Sequence, residues 1–589
     1  MEDFDVVTDQ TMPDAQSALR SNLPRTSPRW FTRRTQWRQL GLRDEDLSKP
    51  KIAVVNSSSK LSPCFSHLDP IADAVVKSIG EAGGIGFEIR TVAPTDFIMS
   101  AGHEGGYVLS SRDLVSFDIE SVVEGASLDG MVCLASCDKT TPGQLMAAAR
   151  TNIPTLVISC GFQSCGLGKD GTAVDMEEVF IKAGHLARGG VTFEEMCDLS
   201  NRAITSPGVC TGMGTANSMH LMAEALGMTL PGYAPVAANS EDMWKAVLGS
   251  GRAIVDAVLA DRRPRDILTP EAIRNAIRAI IAVSGSINSV KHLSAIAKES
   301  GLALDVADEF LRASREIKPI AAIRPNGPAS IEEFVSEGGT LAVLAGLGTL
   351  FDRSTKTVTG ASWESLLQPY EDASSRTIIS TLDSPKAGHA TIQVLKGNLA
   401  PHYAISKLSV TEVRKRFFQG PATVFTGAND AIEAINKSAL EAGSVLVVRG
   451  LGPVGTPGMG MASNVVFALD GAGLTDKVAL VTDGQFSGLV NKGIIVGEVS
   501  PEGVGATPLG LVQDGDTITI DLESGDLKVS VTRDEMRGRA ANRIASVPDD
   551  AAPRLDWLHL FASTYDQRYL PSTAALRAPA QAATPGASA

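Results

Sequence analysis

Residues 129–159 read DGMVCLASCDKTTPGQLMAAARTNIPTLVIS, and the fold class is reached by working outward from this segment. An apolar, partly β-branched run ends at Ala135, and the helical run GQLMAAAR begins a few residues later. The pattern predicts a strand, a tight connection, a helix and a second buried strand. Thr141 is expected at the helix N-cap and Pro142 at the first helical position. Between strand and helix stand Cys137, Asp138 and Lys139: a soft ligand, a hard ligand and an amine. Open α/β sheets bind ligands at the carboxyl ends of their strands, where a helix N-terminus also favours anions. Taken alone, the tripeptide is equally a chance feature of a βαβ crossover.

Upstream, KIAVVNSSS (51–59) predicts a buried strand, the run after His67 a helix stopped by Gly83-Gly84, and FEIRTV (87–92) another strand. A glycine-rich loop with Asp96 and His103 follows, then an amphipathic helix over 112–126. Downstream, GFQSCGLGKDG (161–171) is expected as a flexible loop, and SPGVCTGMGTANSMHLMAEALGM (206–228) as a turn feeding a helix. Residues 240–375 read mostly helical, whereas from about 385 short apolar strands recur at close spacing, as in a barrel or sandwich. The fold class is therefore α/β, with an open α/β domain over 35–380 and a β-rich, barrel-like domain over 381–565. Residues 1–34 are expected as an arm, loose to about 28, before an amphipathic helix over 28–42; the Ala/Pro-rich tail, 566–589, is expected to be disordered.

A chain of 589 residues is too long for one core. A net charge of −14 with no basic run argues against a nucleic-acid partner. No apolar stretch reaches bilayer length and the acidic start MEDFDVVTDQ is unlike a signal peptide, so a cytoplasmic location without a membrane partner is expected. Seven cysteines without a C-x-x-C pair signal neither a disulfide scaffold nor a zinc ribbon nor a ferredoxin-type cluster. Any metal centre must draw its thiolates from distant loops.

Three cysteines share such a context: Cys64 in SPCFSHLD, Cys137 in SCDKTTPG and Cys210 in SPGVCTGMGTAN, each in a turn before a helix. Cys133, Cys160, Cys165 and Cys197 read as small hydrophobes, although Cys160 and Cys165 flank a loop and are open to a reactive role. The segments CDKTTPGQLMAAARTNIP, SPGVCTGMGTANSM, LKGNLAP and VALVTDGQFSG resemble the signatures of the dihydroxy-acid dehydratase / 6-phosphogluconate dehydratase family, which includes sugar-acid dehydratases. The resemblance spans about residues 35 to 560. It implies that Cys64, Cys137 and Cys210 hold an iron–sulfur cluster, that Asp96, Asp138 and a carbamylated Lys139 bind Mg²⁺, and that Ser487 is the catalytic base. Three thiolates serve a [2Fe–2S] or a [4Fe–4S] cluster, the former being favoured; the family usually forms homodimers or homotetramers.

The residue types suit that chemistry. Three thiolates leave one iron open as a Lewis acid, and Mg²⁺ prefers oxygen donors. An ammonium beside a dication is repelled, which is why Lys139 belongs there as a carbamate. The implied reaction dehydrates a 2,3-dihydroxy carboxylic acid to a 2-oxo acid, with dihydroxy-acid dehydratase as the first reading and a sugar-acid dehydratase as the second. A non-catalytic iron–sulfur sensor is the remote third, since a sensor needs neither base nor carbamate. One segment departs from the family: PGMGMAS (457–463) places Met461 where a magnesium-binding glutamate usually stands, and no Asp or Glu lies between Glu441 and Asp470. Leu489, just past the base, is more apolar than its counterparts in sugar-acid members.

Overall fold

The computed structural model describes residues 19–169, 171–410, 415–488, 490–544 and 556–569. Its N-terminal part is built on a parallel sheet of β1 (Lys51–Asn56), β2 (Ile85–Arg90), β3 (Gly130–Ala135) and β4 (Thr155–Ser159), in the order β2-β1-β3-β4. β1, β3 and β4 are buried along their whole length, as expected of near-continuous apolar strands covered on both faces. Helices Leu68–Glu81 and Glu241–Leu259 pack together on the sheet, as do Gly106–Gly125 and Thr140–Thr151. The segment 161–171, expected as a flexible loop, contributes instead to a small hairpin of β5 (Gly166–Leu167) and β6 (Ala173–Val174). Its pairing is two residues per strand, too short to leave a periodic signal.

The C-terminal part is an eight-stranded sheet ordered β14-β13-β9-β10-β11-β12-β8-β7. Its strands are β7 (Ile392–Leu395), β8 (Tyr403–Lys407), β9 (Phe417–Thr426), β10 (Val445–Arg449), β11 (Ala479–Thr482), β12 (Ile495–Ser500), β13 (Thr517–Asp521) and β14 (Asp526–Val529). β9 to β12 run parallel, and the outer strands pair antiparallel. The edges nearly close: Lys396 N donates to the Gly525 carbonyl at 2.8 Å and Leu527 N to the Lys396 carbonyl at 2.9 Å. Period-two alternation divides the strands between two cores. Val445, Val447, Ala479 and Val481 fill the barrel, while Leu446, Val448 and Leu480 join the core shared with the N-terminal part.

The chain ends differ in part from expectation. Leu19 is buried, and Ser21 donates from N and Oγ to the buried Asp129 carboxylate at 2.9 and 2.6 Å, so the arm is docked from residue 19. Helix Pro28–Gln39 follows, capped by Ser27. Residues 566–569 of the expected tail belong to helix Trp557–Tyr569, and 1–18 and 570–589 lie outside the described residues. No described helix is long and apolar enough to cross a membrane.

Candidate active site

From β1 the chain crosses to β2 on one side, and from β3 to β4 on the other. The crevice outside the carboxyl ends of β1 and β3 is thus the topological switch point of the sheet, where such folds bind ligands. Cys64 lies in the turn after β1 and Cys137 two residues beyond β3, and their thiols hydrogen-bond each other. Cys210 arrives through Val209, which bridges to Phe162 beyond β4. It lines the same cavity as Cys137.

The turn carrying Cys137-Asp138-Lys139 is tied from several sides. Ser136 Oγ donates to the Cys64 carbonyl at 2.5 Å, and Thr140 Oγ1 donates to the Cys137 carbonyl at 2.9 Å while accepting from Ser136 N at 3.2 Å. His220 Nε2 lies 3.1 Å from the Ser136 carbonyl and its Nδ1 lies 3.0 Å from Ser159 Oγ. This corrects the predicted cap: the helix starts at Thr140, with Lys139 at the N-cap, because the Thr140 hydroxyl closes the turn and Thr141 is already helical.

Lys139 is fully buried, with Nζ 2.8 Å from Asp96 Oδ2 and 3.9 Å from Asp138 Oδ2. Burial works against its charge, but the two carboxylates outweigh it and raise the Lys139 pKa. Burial and the neighbouring Asp96 push Asp138 well above the usual carboxylate range. Asp96 Oδ1 is buried without a hydrogen-bond partner among the described residues. Two carboxylates thus face one ammonium, a donor set that lacks cationic charge. The thiols lack it too: the bond to Cys64 and burial push Cys137 up, and burial pushes Cys210 up, so both need a cation to ionise. Among the described residues no three carboxylate, thiol or imidazole groups converge on one point closely enough to define a metal centre alone. The fit to an iron–sulfur cluster and Mg²⁺ is one of donor type, burial and missing charge.

Ser487 comes from the C-terminal part, in the turn after β11, and faces the same cavity. Its N–H donates to Ser463 Oγ at 2.8 Å. The acidic residue of the same DGQFSG turn, Asp483, is structural: it accepts from the N–H groups of Gly450, Leu451 and Gly503 at 3.0, 2.9 and 2.7 Å. Met461 also lines the cavity, its N–H bonded to the Glu104 carbonyl at 2.8 Å. Gly105, at φ +86°, makes room for it, since a Cβ there would lie 2.5 Å from Met461 Cγ. The structure therefore brings Asp96, Cys137, Asp138, Cys210, Met461 and Ser487 to one cavity, with Cys64 and Lys139 directly behind its wall. His103 is exposed against Tyr107 and Leu489 lies outside the described residues. Burial raises the Cys160 and Cys165 thiols, which argues against a reactive role for either, and Cys133 is buried in β3.

Sequence reasoning missed the rest of the lining. Phe97 and Phe180 stack edge to face at 5.3 Å, Phe180 meets Phe467 at 4.8 Å, and Thr215, Ser463 and Asn464 supply hydroxyl and amide groups. Glu177, behind Cys210, is buried and pushed well above the usual range by desolvation and Asp175. No local pattern marks these residues, because they come from separate segments.

Residues 49–366 match the family described as dihydroxy-acid/6-phosphogluconate dehydratase N-terminal, and residues 377–569 match its C-terminal counterpart. The chain belongs to the dihydroxy-acid/6-phosphogluconate dehydratase family. Its relatives include a dihydroxy-acid dehydratase of Ignicoccus hospitalis, 40% identical over 87% of this chain and 93% of the relative. A dihydroxy-acid dehydratase of Methanococcoides burtonii is 38% identical over 86% and 92%. One from Natronomonas pharaonis is 36% identical over 94% and 93%. As a member of this dehydratase family the chain is a hydro-lyase, and the family's chemistry is dehydration of dihydroxy acids.

Proposed function

We propose that this dehydratase converts an unphosphorylated 2,3-dihydroxy acid with an apolar end, of the branched-chain precursor type, into its 2-oxo acid. The observation that carries the reading is the cavity wall. Phe97, Phe180, Ala216 and Met461 form its apolar side, and none of the described lining residues is Lys, Arg or His. A phosphate would find no cation there, and the apolar side offers nothing to the hydroxyls of a long polyhydroxy chain.

Cys64, Cys137 and Cys210 would hold the iron–sulfur cluster, and Asp96, Asp138 and Lys139 as its carbamate would hold Mg²⁺. When bound, these groups supply Lewis acidity to the leaving hydroxyl and charge compensation to the substrate carboxylate. The chain's own part is positioning and proton transfer. Ser487 Oγ, as alkoxide, takes the α-proton and hands it to the departing β-hydroxyl, which leaves as water and restores the alkoxide, and the enol tautomerises to the 2-oxo acid. The Ser463 hydroxyl fixes the Ser487 backbone, and the aromatic wall excludes water from the alkyl end. We take the enzyme to work in the cytoplasm as a homodimer or homotetramer.

The test is anaerobic purification with iron and sulfide analysis, followed by a 2-oxo-acid assay across branched dihydroxy acids, C5–C6 aldonates and 6-phosphogluconate. Branched dihydroxy acids should give the highest kcat/KM. A preference for 6-phosphogluconate or an aldonate would overturn the substrate assignment, and loss-free iron in Cys64→Ser, Cys137→Ser and Cys210→Ser variants would overturn the cluster.

A further inference from the structure

A second cavity, of about 400 Å³, opens where helix Ser289–Glu299 and the loop after it face β8 and helix Trp557–Tyr569. Its size is that of a small-molecule site. Lys291, Lys298, Lys396 and His402 line it together with Tyr403 and Tyr565. The one carboxylate among the described lining residues, Asp305, is occupied as the cap of the next helix, accepting from Asp308 N at 3.0 Å. Lys396 is paired with Asp308, whereas Lys298, exposed at the mouth, has no ion-pair partner among the described residues. Lys291 is 3% exposed, and its ammonium is held from behind by Glu498 Oε1 and Asn288 Oδ1. A buried ammonium is costly unless paired, and this one is paired by Glu498 and Asn288 on a residue that also lines the cavity.

The same residues reach the Ser487 turn. Asn288 Nδ2 donates to the Phe486 carbonyl at 3.0 Å and to Thr215 Oγ1 at 2.9 Å. Phe486 precedes Ser487, and Thr215 lines the candidate active site. Glu498 N donates to the Gly484 carbonyl at 3.2 Å, and Glu498 itself sits at φ +52° where the β12–β8 register shifts. Both sides of the DGQFSG turn therefore hang on the residues that hold Lys291.

We propose that this second cavity binds a small organic anion, a carboxylate or phosphate on an apolar body, and that Lys291 and Asn288 transmit its occupancy to Ser487. The anion competes with Glu498 and Asn288 for the Lys291 ammonium, which frees Asn288 and loosens the turn, so bound anion lowers kcat and leaves KM unchanged.

Calorimetric titration of the anaerobic holoenzyme with benzoate, phenyl phosphate and neutral benzamide tests the binding, and the two anions' relative affinities separate carboxylate from phosphate. At least one anion should bind saturably and benzamide should not. Lys298→Glu should weaken binding roughly tenfold or more, and Lys298→Met by less, as expected for one charge at the mouth. Absence of saturable anion binding, equal binding of benzamide, or binding untouched by Lys298→Glu would overturn the site. Inhibition that raises KM would place the anion in the active site instead, and binding without change in kcat would overturn the coupling. The titration reads binding directly, so it stands apart from the assignment of Ser487 as base.

Discussion

Ser487 and Met461 are the two residues whose roles separate chemistry from metal binding. Ser487 faces the cavity with its backbone fixed by Ser463, so Ser487→Ala deletes the hydroxyl and leaves that main-chain anchor in place. We expect kcat to fall by about 10²–10⁴-fold with iron content and KM nearly unchanged; a variant within a few-fold of wild type would move the base elsewhere. Met461 offers a hard cation neither charge nor a hard oxygen. Asp96 and Asp138 are the described carboxylates lining the cavity, so Mg²⁺ should be held weakly and activity should rise with added Mg²⁺ into the millimolar range. Met461→Glu should tighten Mg²⁺ by roughly tenfold or more, given that the backbone there is anchored to Glu104. A Mg²⁺ titration of activity in both proteins checks this, and stoichiometric Mg²⁺ surviving desalting of the wild type would contradict it.

The β3–turn–helix unit depends on a neutral histidine beneath it. Burial holds the His220 pKa down to about 4, against a usual value of 6.5, while its ring bonds Ser136 and Ser159. The folded pKa lies below the unfolded one, so this contribution is complete above pH 6.5 and is lost as pH falls toward 4. The loss amounts to about 3 kcal/mol over that window. Urea midpoints of wild type and His220→Gln at pH 7 and 4.5 should show the wild type losing more. Equal losses would mean that the imidazole stays accessible to protons.

The two halves of the molecule are joined by buried polar ties, chief among them Lys407 on β8. Its ammonium donates to the Ser284 and Gly285 carbonyls at 2.6 and 2.5 Å, and burial drives its pKa well down. Lys407→Met keeps most of the volume but strands the Gly285 carbonyl, at a cost of about 1–3 kcal/mol, while the Ser284 carbonyl retains the Asn326 amide at 2.8 Å. The variant should unfold at lower urea. It should also lose kcat, because Ser286, two residues from Ser284, bonds Thr215 beside the cavity. Wild-type stability in this variant would show that water replaces the ammonium freely.

Local pattern in the chain was enough for the strand–turn–helix at Cys137, the turn positions of Cys64 and Cys210, and the buried strand before Ser487. Those features rest on periodicities of two and of 3.6 residues, which neighbours along the chain express. The thiol contact between Cys64 and Cys137 follows from strand order, which places β1 beside β3. Tertiary packing alone decided the aromatic wall of Phe97 and Phe180, the near closure of β7 on β14, the docking of Ser21 on Asp129 and the use of Thr140 in place of Thr141. Each of these joins segments, or competes for a hydroxyl, according to which faces meet when the two cores form. No window of sequence carries that information, because the partners' spacing along the chain leaves no period to read.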